Sequence, residues 1–117
     1  MHSLRTVLAA FADRPDVLGA AIVSEEGLVI ESALPSALDP EAIAALAATA
    51  QRTLQTLGGA TGHGVPRETV VEGGGGILIL RRLASGPTLL VLAAPDGDLG
   101  ALLHDLHRHA PALIALV

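Results

Sequence analysis

The sequence predicts an α+β fold in which one five-stranded sheet carries helices on both faces. Three observations predict it. Residues 17–32, VLGAAIVSEEGLVIES, read as an apolar hairpin, a long alanine-rich helix opens at Asp39-Pro40, and three more strand-like runs precede a leucine-rich final helix. Strands joined by short turns pair antiparallel, so the order helix, two strands, helix, three strands, helix builds one layered sandwich.

Each element has its own signal. Leu4, Val7, Leu8 and Phe11 recur at helical spacing, with Ser3 as N-cap and Arg14-Pro15 as the stop. Val17-Leu18 and Ala20 to Val23 form a strand apolar on both faces. Ser24 to Gly27 supplies the turn, and Leu28-Val29-Ile30 begins the return strand. After a loop at 33–38, Asp39 caps a helix with Pro40 at its first position and Glu41 in its first turn. Ile43, Leu46, Ala47, Ala50, Leu54 and Leu57 lie on one stripe and are expected to pack inward, with Ala44, Ala45, Ala48, Arg52 and Thr56 on the opposite face. Gly58-Gly59 is expected to end the helix, and 60–66 to form a flexible loop.

Arg67 to Glu72 alternates as a half-exposed strand and Gly73 to Gly76 turns the chain. Ile77 to Leu83 is the next strand, Ser85-Gly86-Pro87 the next turn, and Thr88 to Ala94 a nearly continuous apolar run suited to a sheet centre. Asp98 caps a last helix whose Leu99, Leu102, Leu103, Leu106, Ala110, Leu113 and Val117 share one face, with Pro111 as a candidate kink.

Composition narrows the function. A chain of 117 residues fits one domain, 1–117, and a hydrophobic content of 50% points to more apolar surface than a small monomer hides, with oligomerisation as the outlet. The net charge of -5, the absence of lysine and a single aromatic residue, Phe11, argue against nucleic acid. No cysteine is present, which removes disulfides, thiolate nucleophiles and Cys-bound zinc and fits a cytoplasmic protein. Asp13 and Arg14 interrupt the first apolar stretch, so no signal-peptide pattern is present, and no apolar run approaches the roughly 20 residues of a membrane span.

No constellation points to catalysis. The glycine run at 73–76 is followed by a strand where a phosphate loop needs a helix N-terminus, and Gly62-His63-Gly64 lacks the flanking elements of a nucleotide motif. Ser24, Ser32, Ser36 and Ser85 sit in no nucleophile-elbow context. His104, His107 and His109 beside Asp105 form the one cluster with metal-ligand residue types. Their place opposite the leucines favours a solvated helix face, so neither metal nor cofactor is expected and a His-dependent metal site is the weaker alternative.

The stretch GAAIVSEEGLVIESA with the helix from Asp39-Pro40, the run VVEGGGGILILRRLASGPTLLVLAA and the closing helix from LGALLHDL together resemble the Roadblock/LC7 family. Its bacterial members include the MglB-type regulators of Ras-like GTPases. The resemblance implies a profilin-like fold with sheet order 2-1-5-4-3, and a homodimer formed through the third strand and the helix after the first hairpin. It also implies a small Ras-like (MglA-type) GTPase as partner, whose nucleotide cycle the dimer modulates without catalysis of its own. Arg52 on that helix also reads as an arginine-finger candidate or as a solubilising charge, and the family's bacterial regulators are understood to reposition residues of the GTPase instead.

On this reading the interface comprises Ala44, Ala45, Ala48, Thr49, Arg52 and Thr56 of the helix and Glu68, Thr69, Val70, Val71 and Glu72 of the third strand. The low bulk of alanine admits a second helix, although helix propensity alone selects the same residue. The strand offers unpaired N–H and C=O groups. A dimeric tether with no effect on nucleotide turnover is the alternative function.

Overall fold

The structure, a computed structural model, describes residues 3–84 and 86–117. The elements are α1 (Leu4–Ala12), β1 (Val17–Val23), β2 (Val29–Ala33), α2 (Pro40–Ala60), β3 (Glu68–Gly73), β4 (Gly76–Arg82), β5 (Thr88–Ala93) and α3 (Leu99–Leu116). All neighbours in the five-stranded sheet are antiparallel, in the order β2-β1-β5-β4-β3. The expected order is therefore the observed one. Ser85, placed in a turn and weighed as a nucleophile, lies outside the described residues.

The N-caps perform as read. Ser3 Oγ accepts from Thr6 N–H, Asp39 Oδ1 from Glu41 N–H and Asp98 Oδ1 from Ala101 N–H, each supplying one acceptor to an otherwise unpaired first-turn donor. Pro111 lies inside α3 and does not divide it. The ring removes one ladder hydrogen bond but leaves the buried row Leu102, Leu106, Ala110 and Leu113 in register.

One correction concerns the end of α2, which runs past Gly58-Gly59 to Ala60. The amides of His63 and Gly64 both donate to the Gly58 carbonyl, at 2.8 and 3.0 Å. A Cβ at Gly58 would collide with the Gly64 carbonyl oxygen. Gly58 is there to let the following loop lie against the helix, and it does not break the helix.

Two cores flank the sheet. On one face, α1 and α3 pack Leu8, Phe11, Leu102, Leu106 and Leu113 against Ile22, Ile79, Leu89 and Val91. On the other, α2 sets Ala44 and Ala47 against Val23, Leu80 and Leu90. The first core is tied at its margin by Arg14, whose Nε and NH2 meet Asp16 Oδ1 and Oδ2 at 3.1 Å each while NH1 lies 3.2 Å from Asp105 on α3. The hydrogen bond from Arg14 holds the Asp16 carboxyl below the usual carboxylate range.

These contacts set two expectations for stability. Asp16 ionises more easily in the folded chain than in the unfolded one, so its contribution is present near neutral pH and is lost as pH falls through the lowered folded value. Asp16→Asn is expected to cost about 1–2 kcal/mol at pH 7 and less as pH falls through the acid range, read from urea unfolding across a pH series. Gly58→Ala is expected to cost about 1–3 kcal/mol through the collision with Gly64, despite the better helix propensity of alanine, read from the urea midpoint.

Candidate interaction surface

The placement of α2 leaves part of one sheet face bare. The hairpin turn at Gly27 lies beneath Ala45 and Ala48, so close that a Cβ on Gly27 would sit 3.3 Å from the Ala45 Cα. Gln51 Nε2 donates to Thr88 Oγ1 at 3.0 Å, and Thr88 is the buried polar residue among those described. These contacts hold the helix over the end of the sheet nearest the β1–β2 turn. At the opposite end Leu18 and Val71 are about half exposed beside Leu78 and Leu92.

The facing of α2 corrects the sequence reading. Ala44 is 0% exposed and Ala48 4%, so both face the sheet, whereas Leu46 is 70% exposed and Leu57 57%. The stripe Ile43, Leu46, Ala47 and Ala50 exists, but it borders an apolar groove of about 260 Å³ whose other wall is Leu78, Leu80 and Leu90. A second hollow of about 360 Å³, with Leu18, Val71, Leu78 and Leu92 in its lining, adjoins it through Leu78. Small residues let the helix sit close to a sheet already filled by leucines, and the larger helix residues are displaced toward the open side.

Ala45, Thr49, Arg52 and Thr56 are exposed, as expected. Arg52 NH2 donates to Thr49 Oγ1 at 3.2 Å and borders a polar cleft with Glu25, Gln51 and Gln55.

β3 is one of the sheet's two edges, β2 being the other, and among the described residues it pairs with β4 alone. Arg82 N–H donates to the Arg67 carbonyl, and the alternation of an antiparallel ladder then turns the backbone groups of Thr69 and Val71 toward β4 and those of Glu68, Val70 and Glu72 outward. Thr69 and Val71 share the face of Leu80 and Leu78, the groove side; Glu68, Val70 and Glu72 lie on the other. Gly73 and Gly76 pair to close the β3–β4 hairpin, so the glycine run is a turn, as read from the sequence.

The three histidines of α3 have different surroundings. His104 is exposed. His107 donates from Nε2 to Glu68 at 2.9 Å, and Arg81 NH1 lies 3.6 Å from the same carboxylate, so an imidazole and a guanidinium tie the edge strand to α3 and to β4. His109 donates from Nδ1 to the Asp105 carbonyl and meets the Phe11 ring edge-on at 5.7 Å between centroids. Sequence reasoning missed the Glu68–His107 link because 39 residues separate the partners. No group of three metal-ligating side chains occurs among the described residues.

A model of the Roadblock/LC7 domain matches residues 4–93. The chain belongs to the Roadblock/LC7 family. Its fold is that of Myxococcus xanthus MglB, with a TM-score of 0.92 at 18% identity over 97% of this chain and 93% of that one. A Roadblock/LC7 domain from Streptomyces avermitilis matches with a TM-score of 0.80 at 26% identity, covering 97% of this chain and 93% of that one. Acanthamoeba castellanii profilin IB matches with a TM-score of 0.68 at 17% identity, covering 97% and 98%. The profilin-like architecture read from the sequence is thus the observed one.

Facing predicts opposite outcomes for neighbouring helix positions. Ala48→Glu forces a carboxylate between α2 and the hairpin turn and is expected to cost more than about 3 kcal/mol of protomer stability. Leu46→Glu, on the open side, is expected to change it by less than about 1 kcal/mol. Urea unfolding at high dilution, where self-association contributes least, reads both.

Proposed function

We propose that this Roadblock/LC7 protein is a homodimeric, non-catalytic regulator that binds a small Ras-like GTPase and biases its nucleotide-dependent switch conformation. The observation that carries the dimer is the apolar groove between the Leu46 flank of α2 and the strands, lying on the same side as the open β3 edge. A second copy offers both complements at once: an identical edge to extend the ladder and an identical apolar flank. Pairing of two β3 edges makes one sheet of ten strands.

The GTPase reading rests on family membership and on the resemblance to MglB-type regulators. With the Leu46 flank occupied by the second copy, the face bearing Ala45, Thr49, Arg52 and Thr56 remains for a different partner. It is polar, carries one guanidinium, and suits a surface that binds and releases. The GTPase supplies the nucleotide site and the hydrolysis chemistry; this chain contributes differential affinity for two switch states.

Light scattering of the protein at micromolar concentration is expected to give twice the chain mass of 11.8 kDa, and Leu46→Glu to shift it toward the monomer. Calorimetry with a candidate GTPase is expected to show at least about a tenfold preference between the GDP form and a non-hydrolysable GTP analogue form, equivalent to about 1.4 kcal/mol of coupling. Arg52→Glu is expected to weaken that binding at least about tenfold while the dimer persists. Equal affinity for both nucleotide forms would leave a tethering scaffold as the function.

A further inference from the structure

We infer that two copies of this chain join through β3 in a single register, centred on Val71, with each Val71 opposite its symmetry mate. The inference rests on the dimer proposed above and adds its alignment, which the strand's own hydrogen-bonding parity, charge and flanking residues select.

A two-fold axis perpendicular to the sheet keeps both grooves on one face, and residues directly opposite across an antiparallel ladder point to the same side. The axis then passes beside Thr69, Val70 or Val71. The outward backbone groups are those of Glu68, Val70 and Glu72.

Centring on Thr69 sets Glu72 opposite Pro66 of the second copy, which has no N–H to give, so an outward carbonyl loses its donor at each end. Centring on Val70 sets Glu68 directly opposite Glu72 twice. Glu68 is already held by His107 at 2.9 Å and Arg81 at 3.6 Å, and a second carboxylate there competes for the same two groups. Like charges in direct cross-strand positions destabilise a ladder.

Centring on Val71 sets neither a proline nor a glutamate opposite an outward glutamate. Val70 and Glu72 exchange backbone hydrogen bonds, and Glu68 faces Gly74, a residue of the β3–β4 turn just beyond β3 that brings no side chain and, unlike Pro66, has an N–H. The two Glu72 side chains meet only diagonally, at about 7–8 Å. Val71, 50% exposed and on the groove face beside Leu78, meets its mate where the apolar surface is already open. This register therefore extends the hydrophobic groove across the axis.

The chain has no cysteine, so a single introduced one reports on the register alone. In the Val71 register the two copies of position 71 form a non-hydrogen-bonded pair about 4.5 Å apart at Cα, within the range a disulfide spans, whereas the two copies of position 70 lie diagonally beyond about 7 Å. Thr69→Cys, Val70→Cys and Val71→Cys proteins are oxidised with copper-phenanthroline and resolved on non-reducing gels, with light scattering of the unmodified protein alongside. Val71→Cys is expected to cross-link at least about tenfold faster than the other two. Faster linkage of Val70→Cys or Thr69→Cys overturns the register. A dimer by scattering with no cross-link in any of the three overturns β3 as the junction. A monomer by scattering overturns the dimer itself.

Discussion

The structure depends on an imbalance of cover. Strands of six or seven residues run about 20 Å, five of them side by side span about as much, and a helix is about 10 Å across. Two helices, α1 and α3, close one face over a core of leucine, isoleucine and a single phenylalanine. One helix, α2, attends to the other and lies at one end of it. The uncovered end keeps leucines and valines at its surface, and the proposed function follows from what covers them. Within the protomer α2 is held at its end of the sheet by the close approach of Gly27 to Ala45 and Ala48 and by the Gln51–Thr88 hydrogen bond.

The sequence was most legible where local chemistry and long-range packing agree. Three helix starts followed from side-chain caps, the presence of a turn in the glycine run from the strand after it, and the strand order from family resemblance. It was least legible in the rotation of α2. Periodicity locates an apolar stripe but does not say whose core the stripe serves. Large residues at Leu46 and Leu57 read as inward because a stripe of that size normally fills a core. Here the strands already supply the volume through Leu78, Leu80 and Leu90, and the helix meets them with alanine. Ala44 and Ala48, assigned to a partner, serve the protomer, while Leu46, assigned to the protomer, faces the groove.

The edge strand shows a second kind of information that a linear reading does not hold. Glu68 and Glu72 looked like the flanks of a half-exposed strand, yet Glu68 is anchored to His107 on α3 and to Arg81 on β4. This anchoring keeps β3 against the body of the sheet from one side while its outward backbone groups face away from it. The charged residues also limit how β3 pairs with another strand. Edge strands commonly carry charge to discourage indiscriminate pairing, and two glutamates four positions apart discourage one alignment while permitting another.

The central claim is that the bare sheet end and the β3 edge are covered by a second copy of the chain. Amide hydrogen exchange across a dilution series tests it most directly, because the N–H groups of Val70 and Glu72 point away from β4 and find no ladder partner among the described residues. Slow exchange of these two amides at high concentration, accelerating on dilution while Thr69 and Val71 remain protected, is the predicted result. Fast exchange of Val70 and Glu72 at every concentration, in a protein that light scattering reports as a dimer, would contradict it.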